Sequence, residues 1–424
     1  FWLKPLLAMS HRCHPVVGIK ACRLQVAAIL LALCCMRLHL AGSGSRRAMM
    51  SFLRGSGNTE VPSARLRSRP MKVSPGGSRT CVRATVSSNK QAEPLVSAGH
   101  FVEVRAKSTE DGMPIKLHYA ECRPPAGARE LGVCVLLHGF PDFHGSWREQ
   151  MPVLAQAGYR VIAPDLRGYG RSSKPWSLEQ YSQDELTADI AALVSELSPD
   201  APLALLCGHD WGAFVAWAVA SDYPGICKKL AILNVPHPQS FAEGLTPRQL
   251  LKSWYIFAFQ VPIIPELVLE FADAFLVRWS LQRDLAKQLS ADELDAHAQV
   301  FASERWASRG PLQYYRAACC GLWRGLNTSQ VWSSVQQFWA MLRRPQVELK
   351  SPPAGGGRGD GSVAVPVQVI WGVRDRYLGE ELADPPAELV PNARSTLRLD
   401  ACHWVHWDKP AEVNAALLSF LREE

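Results

Sequence analysis

The chain has 424 residues, is 47% hydrophobic and 9% aromatic, and carries a formal net charge of +7; this is enough for two average domains or one large α/β domain with an insertion and a tail. Fifteen Lys/Arg and one acid, Glu60, fall in residues 1–92, so that stretch carries +14 and the remainder must carry −7. The body is therefore mildly acidic, and the overall charge gives no reason to read the protein as a binder of nucleic acid.

The chain opens on Phe, and Met9, Met36, Met49, Met50 and Met71 are all available as initiators. Residues 24–36 (LQVAAILLALCCM) are uncharged and flanked by Arg23 and Arg37, the length of a signal-peptide core and short for a bilayer span. From Arg46 to Lys90 the sequence is rich in Arg and Ser and almost free of acid, the composition of a plastid transit peptide with cleavage near Cys81 to Ala84. Residues 1–92 are thus expected to be a targeting leader, for the plastid first and the mitochondrion second. An uncleaved endomembrane anchor at Leu24–Leu40 ranks third, and membrane association is expected only if the leader is retained. Five of the twelve cysteines lie in the leader and seven in the body. None sits in a CxxC or metal-ligand spacing, so they read as free thiols of a reducing compartment, with Cys134 and Cys207 inside buried strands.

The body, from residue 93, alternates strand and helix signals. Phe101–Val104 and Pro114–His118 predict a hairpin around Asp111-Gly112, and Gly132–Leu137 and Tyr159–Pro164 predict buried strands. Asp184–Leu197 has helical apolar spacing. Leu203–Phe214 (LALLCGHDWGAF) then reads as strand, elbow and helix, with Gly208 and Gly212 flanking an apex residue, Asp210. Lys229–Val235 predicts a further strand. Alternation of this kind implies a parallel sheet over 93–235 with its chemistry at the strands' C-terminal ends.

The alternation then stops. Residues 236–350 read as a helical cap inserted between strands, aromatic through Trp254, Phe257, Phe259, Phe271, Phe275, Trp279, Trp306, Trp332 and Trp339. A flexible Gly-rich stretch at 351–362 lengthens the cap's return. The second part of the core, 363–424, resumes with strands at Val365–Trp371 and Ser395–Leu399 and closes with a helix over Ala411–Leu421. We find no internal repeat.

In the related G-x-S-x-G elbow the apex serine stands above the sheet, and the next N–H faces the oxyanion it generates. Here a carboxylate occupies the apex. A lone GxDxG is more often a surface turn, but Asp375 (WGVRD) and His403 (DACHWVHWDKP) each follow one of the last two strands. The order nucleophile, acid, histidine is the one that successive strand ends of an α/β-hydrolase fold produce. His406 is the nearest rival to His403. His138, His209 and His237 are read as structural.

These residues resemble the epoxide hydrolases of the α/β-hydrolase fold, soluble type, from about Pro94 to the C-terminus. The resemblance rests on His138-Gly-Phe-Pro141 with Ser146-Trp-Arg148, Asp165-Leu-Arg-Gly-Tyr-Gly-Arg-Ser172, Gly208-His-Asp-Trp-Gly212, Trp371-Gly-Val-Arg-Asp375, and His403-Trp404 with Asp408-Lys-Pro410. It implies two cap tyrosines opposite the nucleophile, matched by motif position to Tyr255 and Tyr315. Tyr314 and Tyr315, about 100° apart on a helix, cannot both face one site. A phenol, with a pKa of about 10, stays protonated at neutral pH and can supply the proton an opening epoxide needs. The implied chemistry is attack by Asp210 on an epoxide carbon, with proton donation from Tyr255 and Tyr315. Water, deprotonated by His403 that Asp375 orients, then hydrolyses the ester. The oxyanion formed on Asp210 is received by the backbone N–H groups of Phe140 and Trp211. Trp211 and Trp254 are expected to contact substrate. The reading calls for a small apolar epoxide and water as partners, a monomer or homodimer, and no metal or organic cofactor. Cys402 stands where the family usually has a smaller residue. The nearest rival is a haloalkane or fluoroacetate dehalogenase, which shares the elbow Asp; a non-catalytic hydrolase-fold receptor is the other.

Overall fold

The computed structural model describes residues 96–104, 114–319 and 361–423. The leader expected over 1–92, the turn at Asp111-Gly112, the cap reading beyond 319 and the Gly-rich stretch up to 360 lie outside the described residues.

The first two strands, β1 (Val96–Val104) and β2 (Ile115–Cys122), form the antiparallel hairpin, with a register irregularity between Ala98 and His100. Both are longer than predicted. Among the last three residues of β1 only Val102 and Val104 are buried, so apolar alternation marks that half alone. β3 (Gly132–Leu137) and β4 (Tyr159–Pro164) have the predicted bounds, and β5 (Leu205–His209), β6 (Leu230–Leu233), β7 (Val367–Gly372) and β8 (Leu397–Leu399) complete one eight-stranded sheet in the order β1-β2-β4-β3-β5-β6-β7-β8. β2 meets β4 antiparallel, and every pairing from β4 to β8 is parallel.

Helices cover both faces, which explains why the central strands are apolar throughout rather than alternating. Val133, Val135 and Leu137 of β3 join the core beneath α2 (Gln183–Leu197) and α3 (Trp211–Asp222). Cys134 and Leu136 point the other way, into a core with α1 (Met151–Gln156) and the C-terminal helix (Pro410–Arg422), which contributes Val413, Leu417 and Phe420. Six described cysteines are free and buried, among them Cys134 and Cys207.

Between β6 and β7 the chain forms α4 (Pro238–Glu243), α5 (Pro247–Lys252), α6 (Trp254–Ala258), α7 (Ile264–Asp284), α8 (Ala291–Ala302) and α9 (Arg309–Ala318). α7 is interrupted at Phe271–Ala274, where Ala272, Asp273 and Ala274 adopt positive φ. The cap's aromatic richness does not all face inward. Phe257 of α6 is 39% exposed, and Phe271 and Phe275 are 63% and 53% exposed because α7 turns Val277 and Leu281 to the core and leaves the opposite stripe outside. Among the described residues no helix is long and apolar enough to cross a membrane.

Pairing register then places the chemistry. Leu137 sits beside Gly208, His209 beside Leu233, Leu233 beside Ile370 and Gly372 beside Leu399. The loops after β3, β5, β6, β7 and β8 therefore emerge together along one sheet edge.

Candidate active site

The elbow is built by backbone geometry that only particular residues tolerate. Asp210 adopts φ 49° and ψ −125°, a strained conformation that lifts its side chain at the turn's apex. Two residues on, a Cβ at Gly212 would collide with the carbonyl oxygens of Leu137 and His138, so the elbow is wedged against the end of β3. At Gly139 a Cβ would run into the Asp210 side chain itself. That missing methyl lets the carboxylate lie across the loop, where Oδ1 accepts a hydrogen bond from the Phe140 N–H at 2.7 Å. The Trp211 N–H is the first of α3, so the helix N-terminus stands directly behind the carboxylate.

Asp210, His403 and Asp375 come together as the chain order predicts. The other carboxylate oxygen of Asp210, Oδ2, is 3.2 Å from Nε2 of His403, and Nδ1 of His403 is 2.6 Å from Oδ2 of Asp375. Asp375 is itself fixed: Oδ1 accepts from the Tyr377 and Leu378 N–H groups at 2.7 and 3.0 Å, and Oδ2 accepts from the Asn234 amide at 2.8 Å. Asn234 also accepts from the Gly372 N–H at 2.9 Å, which ties the ends of β6 and β7 together. Burial opposes the charge of the His403 imidazolium, but the Asp375 and Asp210 carboxylates outweigh it and push its pKa up to about 10. Burial likewise opposes both carboxylates, and their hydrogen bonds and the facing imidazolium hold both below the usual range. The triad rests as carboxylate, imidazolium, carboxylate.

An aromatic wall closes the other side. Tyr315 of α9 makes edge-on ring contacts with Trp211 at 5.0 Å and Phe140 at 5.4 Å, and Tyr255 of α6 lies 5.9 Å from Tyr315. Burial first, and the Asp210 carboxylate second, push both phenols well above their ordinary pKa, so both keep their protons. Tyr314 faces elsewhere, its hydroxyl donating to the Arg167 carbonyl at 2.8 Å. Trp254 is half-buried one position before Tyr255, about 100° around the helix; the ring contacts to Tyr315, Phe259 and Tyr377 are those of Tyr255.

The remaining histidines separate cleanly. His406 sits behind His209, with burial holding its pKa well below the ordinary value. Nε2 of His209 lies 3.0 Å from the His403 carbonyl oxygen, and burial lowers its pKa to about 4. His138 bonds the Gly139 carbonyl and accepts from the Leu166 N–H, and His237 caps α4 by accepting from the Gln239 N–H. Four residues of the site escaped the sequence reading. The pattern of Lys229–Val235 predicts a strand straight through Asn234, although Asn is among the non-glycine residues that most readily take its φ of 51°. Tyr377 sits edge-on to His403 at 5.2 Å with its hydroxyl donating to Asp284 at 2.7 Å. Phe259 and Phe301 pack on Phe140, and nothing in their spacing singled them out from the cap's other aromatics.

Two groups of described residues have metal-ligand chemistry. In the first, Asp165 accepts from His118, from the backbone and ring of His144 and from the Arg171 N–H, so its oxygens are spoken for. The second joins Asp142, His209 and His406, all three fully buried.

A parallel sheet with an aspartate at the elbow after β5, and an acid and a histidine after β7 and β8, defines a hydrolase-fold enzyme. The profile of the family described as "alpha/beta hydrolase fold" matches residues 133–410. The chain is 34% identical over 315 residues to the AB hydrolase superfamily protein YfhM of Bacillus subtilis (strain 168), covering 73% of this chain and 96% of that one. It is 32% identical over 337 residues to epoxide hydrolase 4 of Homo sapiens, covering 77% and 80%. Among solved structures, the Bacillus megaterium epoxide hydrolase in complex with an inhibitor superposes with a TM-score of 0.58 at 26% identity, over 76% of this chain and all of that one. The chain belongs to the epoxide hydrolases of the α/β-hydrolase fold family.

Proposed function

We propose that the protein converts a small apolar epoxide and water to a vicinal diol through an alkyl ester on Asp210. The observation that carries this reading is the division of labour on one carboxylate. Oδ1 is held by the Phe140 N–H, while Oδ2 lies beside His403, and the adjoining Tyr255 and Tyr315 phenols are both within the electrostatic reach of the Asp210 carboxylate. Oδ2 attacks the ring carbon, the C–O bond breaks, and the leaving alkoxide takes a proton from the tyrosine pair. Oδ1 remains as the ester carbonyl in its N–H cradle.

Esterification removes the charge of Asp210, and with it one of the two carboxylates that hold His403 protonated. The imidazolium then gives up its proton, which replaces the one lost by the tyrosine pair, and the neutral imidazole accepts a proton from water, whose oxygen attacks the ester carbonyl carbon. The oxyanion on Oδ1 is stabilised by the Phe140 and Trp211 N–H groups. Collapse breaks the bond from the carbonyl carbon to Oδ2, which leaves in the diol and takes up the proton of the added hydroxyl by way of His403, so that the Asp210 carboxylate and the imidazolium are restored. The apolar rings of Phe140, Trp211, Phe259 and Tyr315 favour an apolar substrate body.

In oxygen-18 water with excess enzyme, the first turnover is expected to place the label in the protein and unlabelled oxygen in the diol. Label directly in the diol would refute the ester and indicate base-assisted hydration. No diol, with halide released from matched haloalkanes, would move the assignment to a dehalogenase; tight ligand binding without either product would make it a receptor. The Arg/Ser-rich leader supports import into the plastid, to be tested by fusing residues 1–92 to a fluorescent protein.

A further inference from the structure

Behind His403 lies a group of buried polar atoms that the proposed chemistry does not use. Asp142, His209, His297 and His406 are at most 1% exposed. Oδ1 of Asp142, Nδ1 of His209, Nε2 of His297 and both ring nitrogens of His406 have no hydrogen-bond partner among the described residues. The four residues come from four distant parts of the chain: the loop after β3, the end of β5, cap helix α8 and the C-terminal region.

Their hydrogen bonds fix what these atoms are. Nε2 of His209 faces the His403 carbonyl oxygen at 3.0 Å, and a carbonyl only accepts, so that nitrogen carries the proton and Nδ1 is a lone pair. Nδ1 of His297 faces the Glu293 carbonyl oxygen at 2.7 Å, so that nitrogen carries a proton, and in the neutral ring Nε2 is a lone pair as well. Both lone pairs point at the Asp142 carboxylate: His209 Nδ1 is 3.7 Å from Oδ2, and His297 Nε2 is 3.3 Å from Oδ1. Acceptors facing acceptors in a buried interior repel. A buried carboxylate facing neutral rings is costly too, and the one hydrogen-bond donor to the Asp142 side chain among the described residues, the Trp404 indole at 3.1 Å, is neutral. A single water donates two hydrogen bonds and the neutral His406 ring one, against acceptors on Asp142, His209, His297 and His406 itself, so at least one stays unmet.

We propose that this cluster binds one divalent transition-metal ion of the zinc class, with Asp142, His209, His297 and His406 as ligands. Two donors at about 2.1 Å from a tetrahedral ion stand ~3.4 Å apart, between the two distances observed. The ligand atoms of Asp142, His209 and His406 already lie within 4.8 Å of one another. Imidazole nitrogen with one carboxylate oxygen and no thiolate suits zinc, cobalt(II) or nickel(II) rather than calcium or magnesium. The ion is structural: it fastens the cap, through His297 of α8, to the elbow and to the segment that carries His403, and no step of the hydrolysis passes through it.

The test uses the full chain expressed in minimal medium with cobalt(II). Expected are one cobalt per chain by mass spectrometry, visible d–d bands of a tetrahedral nitrogen/oxygen site, and a fall in Tm on prolonged chelation. Asp142→Asn and His297→Gln, checked for folding by circular dichroism, are expected to lose roughly tenfold or more in cobalt content and to show no chelator-dependent Tm. A wild-type chain without stoichiometric metal overturns the proposal and assigns the cavity to water or to a protonated His297. Equal metal content in the two folded variants overturns it as well and places the ion elsewhere. If neither variant folds, the wild-type metal content and spectrum alone decide.

Discussion

The substitution Asp210→Asn mimics the uncharged ester and asks whether consuming the nucleophile switches on the base. In the resting site the His403 pKa is about 10, with Oδ2 of Asp210 at 3.2 Å from Nε2. At an effective dielectric of ~20, a unit charge at that distance contributes about 5 kcal/mol, roughly 4 pH units at ~1.36 kcal/mol each. The Asp210 side chain is 15% exposed, so water screens part of this, and a drop of about 2–4 units is expected. His403 would then titrate at roughly 6–8, where it accepts a proton from water at neutral pH. The assay is a pH titration of histidine ring carbons by NMR on the wild type and on Asp210→Asn, with the resonance assigned by its loss in His403→Gln. A variant in which His403 stays protonated above pH 9 would refute the reasoning, because the imidazolium then persists through the ester and cannot act as base.

Further outcomes follow from the same geometry. Tyr255→Phe and Tyr315→Phe are each expected to lower kcat/KM about 10²-fold by removing half of the proton-donating pair, with the double variant near background; a change under threefold in either, read from progress curves on a lipophilic epoxide, would remove that tyrosine from the mechanism. Asn234→Ala strands the buried Gly372 N–H and strips a hydrogen bond from Asp375, so urea unfolding is expected to show a loss of about 3 kcal/mol; a loss below ~0.5 kcal/mol would mean that the β6–β7 clasp contributes little to stability. The triad also sets a pH window for stability. The lowered pKa values of Asp210 and Asp375 contribute stability that is present above the ordinary carboxylate range and lost as pH falls through the folded values. The raised pKa of His403 contributes stability fully present below about 6.5 and lost as pH rises through about 10. Urea midpoints are therefore expected to decline from mildly acidic pH towards pH 10 in the wild type, and less steeply in His403→Gln; identical slopes would refute the assignment.

Much of the architecture was legible from the chain alone. Gly132–Leu137 and Tyr159–Pro164 have the bounds that their apolar runs gave, because strands covered by helices on both faces have no polar alternation to blur their ends. The elbow was legible because its geometry constrains residue type: glycine where a Cβ would strike the end of β3, and a short polar side chain at the strained apex. Asp375 and His403 were located by order, since parallel strands deliver successive loops to one edge. Less of the cap was legible. Helical spacing gives the turn but not which face meets the core, so Phe271 and Phe275 stand undistinguished among the cap's aromatics although they are exposed.

Tertiary structure alone decided the contacts between distant segments. Whether Tyr314 or Tyr315 faces the nucleophile depends on the rotation of α9 against Arg167 and Trp211, which sequence spacing does not fix. The hold of Asn234 on Asp375 spans 141 positions and depends on β6 lying beside β7. Asp142, His209, His297 and His406 share no local spacing, and only the closure of α8 over the sheet edge brings His297 to within 3.3 Å of Asp142. Local sequence specifies which atoms a residue offers and how its own backbone bends; which lone pairs meet is set by packing of the whole chain.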